Sequence, residues 1–268
     1  MAYNMDMHDY WQKQAADKPL FPDLLWSRPE NRTYAGKLLI VGGNAYGFAA
    51  PAEGFAAAEQ AGIGVARVLL PDSLQKTVGK VFEAGEYAPS TPSGSFSQRA
   101  LAELLSLAGW ADGVLLDGDM GRNSETAILL EKFAGKYGGQ LTLSGDAADY
   151  FIPLPTDILY RPQTLLVLSF SQLQKLFTQA HFPHAITSSM DRIRLVQTLH
   201  LFSLQHRAYL ILSHDGMTFV AVEGRVSSTA WSQRQEPSSS RLAAAAAVWW
   251  LQQSVRPYEA LTTSLTSS

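Results

Sequence analysis

The sequence predicts an α/β fold, in which one mostly parallel sheet is covered by helices on both faces. Short apolar runs alternate with helical stretches along most of the 268 residues, which is the order of repeated βα units. The first run, "KLLIVGG" (37–43), is mainly apolar and ends in glycines, as buried parallel strands do. Near the other end, "MTFVAVEGRVSSTAW" (217–231) contains two strand-like runs joined at Glu223–Gly224, which is a hairpin signal. This hairpin predicts antiparallel strands at one edge of the sheet.

The remaining elements follow in regular order. "AAPAEGFAAAEQAG" (49–62) predicts a helix of small residues that ends at Gly62, a favourable C-cap residue. "NSETAILLEKFAGKYGG" (123–139) predicts a helix with Asn123 or Ser124 as its N-cap. Further strands are predicted at 64–71, 112–119, 140–146, 164–169 and 208–213, and further helices at 171–180, 188–206 and 239–253, with a short one after Pro257.

The chain is predicted to form an arm and one domain. Residues 1–35 are polar with scattered aromatics and prolines, so we expect an arm on the surface of this or a neighbouring subunit. Residues 36–268 are predicted to form a single domain, since βα units continue on both sides of the flexible-looking segment "PSTPSGSFS" (89–97). No internal repeat is present in the sequence.

Composition excludes several classes of function. A net charge of −3 and a pI of about 6.1 give no support for nucleic-acid binding, which needs a basic face. The absence of cysteine excludes disulfides, zinc–thiolate sites and thiol nucleophiles. The longest apolar run, 242–251, is too short to span a membrane, and the start of the sequence has no signal pattern. A cytoplasmic protein is expected.

A glycine turn follows the first predicted strand. In open α/β sheets ligands bind at the carboxyl ends of strands, and "VGGNAYG" (41–47) lies there. Gly42 and Gly43 would let backbone amides approach a ligand, and the helix that follows would favour an anion. The spacing matches neither the dinucleotide nor the P-loop fingerprint. The turn is therefore either a ligand site or a tight turn that needs glycine for itself.

The segment 24–71 resembles the opening of the ATP- or ADP-dependent NAD(P)H-hydrate dehydratases, which are ribokinase-like proteins related to small-molecule kinases. Asn44 lies close to a family serine, and Phe48 interrupts the family's Gly-Ala. The order of elements matches from about 24 to 260. The positions that follow the family's order are Gly42, Gly43, Tyr46, Gly62 and Gly64. The resemblance implies a three-layer αβα sandwich, ATP or ADP with Mg²⁺ as cofactor, and homo-oligomers, often tetramers.

The family's Gly-Pro-Gly-Leu-Gly turn corresponds here to "DGDMG" (117–121). Gly118 and Gly121 are kept in kind, whereas Asp117 and Asp119 introduce two carboxylates. This pair could hold Mg²⁺, which prefers oxygen ligands, or it could repel a phosphate. The alternative is a pair of solvated loop carboxylates, with Asp119 supporting the turn.

Two further family motifs are altered. In "SGDAAD" (144–149), Ser144 replaces the first family aspartate, and Asp146 is kept as a candidate for catalysis, for a ribose hydroxyl or for capping the next helix. The family's Thr-Pro-His-Pro-Gly-Glu turn becomes "VLSFSQ" (167–172). The lysine that the family has after this strand, here "AYLIL" (208–212), is replaced by Ser213, and His214 and Asp215 follow it. These two form either an acid–base pair or an exposed turn.

The family's Gly-Gly-Ser-Gly-Asp motif, an anion hole with its catalytic aspartate, aligns with Pro237 to Arg241. Pro237 removes one backbone donor, and serines restrict the conformations that glycine allows. Arg241 cannot act as a base, because a guanidinium stays protonated. A cation at a helix N-terminus is unfavourable by roughly 0.3–1 kcal/mol. Arg241 therefore predicts a negative partner: Glu236, an aspartate of the 117–119 loop, or a bound phosphate.

Three hypotheses follow. The chain is a homologue that has lost family catalysis and acts as a nucleotide-type ligand-binding, regulatory or assembly protein. Alternatively, it is an active dehydratase or small-molecule kinase with Asp117, Asp119 or Asp146 as the base, or it is a purely structural subunit. The candidate ligand-binding residues are Gly42, Gly43, Asn44, Tyr46, Asp117, Asp119, Gly121, Asp146, Ser238, Ser239, Ser240 and Arg241.

Overall fold

The computed structural model describes residues 9–15, 17–231 and 236–266. The first eight residues of the predicted arm and its residue 16 lie outside the described residues. So do residues 232–235 and 267–268 of the predicted domain.

The strands of the described residues form one sheet. They are Trp11–Gln14 (β1), Lys37–Val41 (β2), Val65–Pro71 (β3), Gly85–Ala88 (β4), Gly113–Leu116 (β5), Gln140–Leu143 (β6), Thr164–Ser169 (β7), Tyr209–His214 (β8), Met217–Val222 (β9) and Arg225–Ala230 (β10). Their order across the sheet is β1-β10-β9-β8-β7-β6-β5-β2-β3-β4. Strand β9 is antiparallel to β8 and β10, and the other neighbouring pairs are parallel. The predicted mostly parallel sheet with an antiparallel hairpin is confirmed.

Helices connect the strands. They are Asp23–Trp26 (α1), Ala49–Gln60 (α2), Gln75–Val78 (α3), Leu101–Trp110 (α4), Ser124–Lys136 (α5), Gly145–Asp149 (α6), Thr156–Tyr160 (α7), Phe170–Gln179 (α8), Arg192–Gln205 (α9), Ser239–Gln252 (α10) and Pro257–Ser264 (α11). Asn123 is the N-cap of α5 and accepts from the Glu125 amide at 2.8 Å, as predicted. No helix among the described residues has both the length and the apolar character that crossing a bilayer requires.

The side chains of each central strand alternate between two cores. In β2, Leu39 and Val41 belong to the core that contains α4, α5, α8 and α9. Leu38 and Ile40 belong to the opposite core, which contains α2, α10 and α11. Because successive strand residues point to opposite faces, this division places the sheet between two helical layers. The predicted three-layer sandwich is therefore observed.

The described part of the N-terminal arm packs against its own chain. Strand β1 extends the sheet beside β10, where buried Gln14 donates to the Thr262 carbonyl at 2.7 Å. Leu24 of α1 is fully buried with Trp249 of α10. The side chains of Trp26 and Tyr34 point outward and are 89% and 78% exposed.

The segment 89–97 is packed, although its composition predicts flexibility. Phe96 is fully buried, and its carbonyl accepts from the Thr126 hydroxyl at 2.7 Å. The amide of Thr91 donates to the Ser95 carbonyl at 2.7 Å, and the amide of Ala45 donates to the Gly94 carbonyl at 3.0 Å. The segment thus lies against the glycine turn that follows β2.

Candidate functional site

Three turns meet where β2, β5 and β6 end. A Cβ added at Gly42 would lie 2.7 Å from the Gly118 carbonyl oxygen, and one added at Gly145 would lie 2.9 Å from Gly118 Cα. The Gly43 amide donates to the same carbonyl at 3.2 Å, and Gly43 has a φ of +86°. The close approach of the backbones therefore accounts for these glycines.

The rest of the glycine turn is held by Asn44. Its Nδ2 donates to the Asp119 carbonyl at 2.6 Å, and its Oδ1 accepts from the Tyr46 amide at 2.7 Å. The Tyr46 ring is left 93% exposed beside this loop. A Cβ added at Gly47 would meet only Asp119 Oδ2, at 4.0 Å, so the space beside the turn is open.

Asp119 occupies the N-terminus of α2. Its Oδ2 accepts from the Ala50 amide at 2.8 Å, and the helix's own N-cap residue, Phe48, makes no side-chain cap. Asp119 has a φ of +63°, a left-handed conformation that aspartate tolerates better than most residues. The carboxylate thus lies where an exogenous anion would meet the positive end of this helix.

Asp146 braces the loop that follows β5. Its two oxygens accept from the amides of Met120 and Gly121, each at 3.1 Å. The Tyr150 hydroxyl donates to the Gly121 carbonyl at 2.5 Å and holds the same loop. Burial raises the pKa of Asp146, and the two amides partly offset this effect. Both carboxylate oxygens of Asp146 therefore accept hydrogen bonds from backbone amides. The N-cap residue of α6 is Ser144, and its side chain forms no cap.

Asp117 is sealed inside the site. It is 0% exposed, and its Oδ1 accepts from the Ser240 hydroxyl at 2.9 Å. In the described part of the chain, its Oδ2 has no hydrogen-bond partner, and the nearby Ser144 hydroxyl has none either. Burial raises the pKa of Asp117 to about 6, and the Gly118 amide and the Ser240 hydroxyl partly offset this effect, as does the Ser144 hydroxyl, which lies nearby without meeting hydrogen-bond geometry. A Cβ at Gly54 of α2 would lie 2.9 Å from Oδ2, so glycine there makes room for the carboxyl group.

Arg241 pairs with Glu53 of α2. Its Nε donates to Glu53 Oε1 at 2.9 Å, and the Ser238 hydroxyl donates to Glu53 Oε2 at 2.6 Å. The predicted negative partner of Arg241 is present in the chain, and it is Glu53 rather than Glu236 or an aspartate of the 117–119 loop. Ser238 is the N-cap residue of α10 without forming a side-chain cap, and Ser239 is exposed. Ser238 and Ser240 therefore bind neighbouring carboxylates, and no serine side chain caps the helix at its N-cap position.

The altered motifs at the ends of β7 and β8 have structural roles. Ser169 and Gln172 form a capping box at the start of α8, and Gln172 Nε2 donates to the Gly145 carbonyl at 2.8 Å. His214 stacks on Phe170 with ring centroids 4.0 Å apart. Asp215 is exposed at a φ of +47°, in the turn between β8 and β9. The turn interpretation of His214 and Asp215 therefore agrees with the structure.

The structure brings most of the candidate residues to this carboxyl edge, together with two that the sequence interpretation missed. Glu53 is the partner of Arg241, and Gly54 makes room for Asp117. Glu53 is the one charged residue in the first two turns of α2, "AAPAEGFA". A single charge in an otherwise small and apolar segment was the sequence signal that could have identified it as a site residue. Among the described residues, no group of three or more His, Cys, Asp or Glu side chains could hold a metal ion.

No protein-family model matches the chain, and no curated protein matches it. Solved structures do match. A ribokinase-like superfamily protein from Enterococcus faecalis superposes with a TM-score of 0.71 and 14% identity, over 99% of this chain and 89% of that chain. The fold is ribokinase-like.

Other ribokinase-like neighbours include enzymes. The ADP/ATP-dependent NAD(P)H-hydrate dehydratase from Bacillus subtilis, co-crystallised with ATP/Mg²⁺, superposes with a TM-score of 0.63 and 10% identity, over 92% of this chain and 85% of that chain. The pyridoxal kinase from Staphylococcus aureus, in complex with AMP-PCP, has a TM-score of 0.51 and 10% identity, over 84% of each chain. At these identities the likeness establishes the ribokinase-like fold and no shared activity.

Proposed function

We propose that this chain is a ribokinase-like protein that binds a nucleotide-type ligand at the carboxyl edge of its sheet without catalysing the reaction of the hydrate dehydratases. The position follows from the fold, since ligands of open α/β sheets bind at the carboxyl ends of strands. The ligand class is suggested by neighbours crystallised with ATP/Mg²⁺ or AMP-PCP. ATP and ADP are therefore the first ligands to test.

The proposal that catalysis is lost rests on the burial and the hydrogen bonds of Asp117, Asp119 and Asp146. A general base must reach the proton that it abstracts. Asp117 is 0% exposed, Asp146 has both oxygens on backbone amides, and Asp119 gives one of its two oxygens to the first turn of α2. Arg241, which the sequence resemblance aligns with the family's aspartate, is paired with Glu53. The residue aligned with the family's base is therefore a cation that cannot accept a proton.

A Mg²⁺–phosphate complex does not fit the donors of this edge. In nucleotide sites magnesium is octahedral and is held by one or two accessible carboxylates together with phosphate oxygens and water. Asp117 is sealed by α10 and the turns, and one oxygen of Asp119 is bonded to the Ala50 amide. We therefore assign no metal ligands, and the proposed function does not depend on a metal ion.

One observation favours the alternative of an active, rewired enzyme. The pKa of Asp117 is raised to about 6 by burial, and a base is most effective when its pKa lies near the working pH. In that alternative, nucleotide-dependent turnover of hydrated NADH would be present and would be abolished by Asp117→Asn. In our proposal, the unmodified protein shows no such turnover.

Thermal unfolding with and without ligands tests the proposed binding. A ligand at 100 times its dissociation constant adds about 2.7 kcal/mol of stability, which a melting curve resolves. We expect a shift with at least one compound of a panel of nucleosides, nucleotides, NADH and NADPH. No shift with any compound would contradict the proposal and favour a purely structural subunit.

We also propose that the protein is a homo-oligomer. The exposed aromatic rings of Trp26 and Tyr34 on the arm would suit contact with a second copy. Light scattering after gel filtration tests this, and a monomer at all concentrations would contradict it.

A further inference from the structure

The carboxyl edge already carries anions in the places where a phosphate would bind. Asp119 accepts from the Ala50 amide in the first turn of α2 at 2.8 Å. Asp146 takes the two successive amides of Met120 and Gly121 at 3.1 Å each. Successive amides and helix N-termini are the groups with which proteins bind phosphates. At this edge the chain's own carboxylates use them.

A carboxyl group of the chain also lies at the first turn of α10. Its residue Ser240 is bonded to Asp117, which is 0% exposed and whose Oδ2 has no partner among the described residues. A buried carboxyl group therefore lies directly behind the helix end that the family uses as its anion hole. Pro237, just before this helix, has no amide to donate.

The charges around the edge are also unfavourable for phosphate. The edge has more carboxylates than cations: they are Glu53, Asp119 and Asp146. The one cation of this group is Arg241, and it is bonded to Glu53. Outside this group, exposed Arg122 and exposed Asp149 offset each other. One excess negative charge at about 8 Å weakens phosphate binding roughly fivefold in a partly solvated site. A triphosphate would meet more than one such charge.

The edge does offer contacts for an uncharged ligand. The Tyr46 ring is 93% exposed beside the open space at Gly47, and such a ring can stack on a base. Asp119 binds Ala50 through Oδ2, while no donor in the described part of the chain is bonded to its Oδ1. A carboxylate oxygen accepts from ribose hydroxyls, as in dinucleotide-binding folds.

From this arrangement we infer that the carboxyl edge recognises a nucleoside without its phosphates and without a metal ion. The inference rests on the proposed function in that it takes the ligand to be of nucleotide type. It adds that a nucleoside binds at least as tightly as its 5′-triphosphate. The planar base would stack on Tyr46, and the ribose hydroxyls would donate to Asp119.

Calorimetric titration with adenosine, guanosine, cytidine and uridine, each with its 5′-mono- and triphosphate, tests the inference. We expect one nucleoside to bind, its triphosphate to bind no more tightly, and Mg²⁺ to leave the nucleoside affinity unchanged. Raising the salt concentration should improve triphosphate binding, because it screens repulsion. Affinity that rises with each phosphate or with Mg²⁺ would overturn the inference and leave the proposed function standing.

Two pairs of variants sharpen this test. Asp119→Asn keeps an acceptor for Ala50 and removes the charge, so triphosphate affinity should rise roughly fivefold. Asp112→Asn is the matched control, since Asp112 accepts from the Lys37 amide at the opposite edge of the sheet. Tyr46→Ala should weaken nucleoside binding roughly tenfold, whereas Tyr34→Ala, at another exposed tyrosine, should not.

If no compound binds the unmodified protein, the proposed function and the inference both fail, because the inference requires a nucleoside to bind. If Asp119→Asn and Asp112→Asn behave alike in their binding of triphosphates, the inference is wrong.

Discussion

Aspartates at the two edges of the sheet differ in exposure and in hydrogen bonding. Strand β5 allows a direct comparison, because an aspartate flanks each of its ends. Asp112, before the strand, is exposed, and its Oδ2 accepts from the Lys37 amide at 2.8 Å. Asp117, after the strand, is 0% exposed and has one oxygen without a partner among the described residues. Three glycine-containing turns and α10 cover the carboxyl edge there. The difference shows that the carboxyl end of β5, the kind of strand end where open α/β sheets bind ligands, is here covered by backbone and carboxylates.

The largest expected effect on stability comes from adding a side chain at Gly42, where the turns of this edge are in close backbone contact. Gly42→Ala should destabilise the protein by about 3 kcal/mol, because the new Cβ would lie 2.7 Å from a backbone oxygen that cannot rotate away. Gly109→Ala in α4 is the control, since a Cβ there meets nothing within 4 Å. It should stabilise the helix by about 0.5–1 kcal/mol. Urea unfolding compares the two, and equal effects would show that the turns are not tightly packed.

The buried carboxyl group predicts a pH effect of similar size. The pKa of Asp117 is raised from 3.8 to about 6, so its stabilising contribution is complete below pH 3.8 and is lost as the pH rises through 6. The free energy of unfolding should therefore fall by about 3 kcal/mol between pH 3 and 7.5, relative to that of Asp117→Asn. Asp112→Asn, at the other end of β5, is the matched control for the replacement of an aspartate by asparagine. Parallel profiles for Asp117→Asn and the unmodified protein would refute the sealed carboxyl group.

A smaller effect is expected at the first turn of α2. Asp119→Ala removes the acceptor for the Ala50 amide and should cost about 1 kcal/mol, as the loss of an N-cap does. Asp215→Ala has a comparable backbone, with a φ of +47° against +63°, but lies in an exposed turn. Their difference in urea unfolding isolates the contact with α2. No difference would mean that backbone conformation alone explains the loss.

The smallest effect is expected for Arg241→Ala. The Arg241 side chain is 64% exposed, so solvent screens its ion pair with Glu53, and the loss should be below about 1 kcal/mol. Arg32→Ala, which breaks the exposed pair with Glu59, should lose a similarly small amount. A loss above 2 kcal/mol for Arg241 alone would show that this pair anchors α10, contrary to our account.

The sheet and its main helices could be predicted because their signals are local. The hairpin at Glu223–Gly224 is marked by a glycine between two apolar runs, and both turn residues have a positive φ, +47° and +81°. Strands β1 ("WQKQ") and β4 ("GEYA") were missed, because edge strands are held by backbone bonds and need no apolar pattern. Helix α4 was not predicted either, although Leu104 and Ala108 on it are buried.

The candidate site could be located from the sequence, but its bonds could not be deduced. The turn after β2 was placed at the carboxyl edge by the rule for strand ends, and the turns after β5 and β6 were singled out by the family resemblance. The partner of Arg241 is 188 residues away, and that of Ser240 is 123 residues away, so neither follows from local pattern. Burial of Asp117 depends on what α10 and the turn glycines cover, which only the folded chain reveals.

Turnover of hydrated NADH by the purified protein, with ATP or ADP and Mg²⁺ present, tests the central claim most directly. Our account predicts no turnover above the rate without protein, because the aspartates of the carboxyl edge are buried or bonded to the chain's own donors. Nucleotide-dependent turnover that disappears in Asp117→Asn and persists in Asp112→Asn would contradict it and make the buried aspartate a catalytic base.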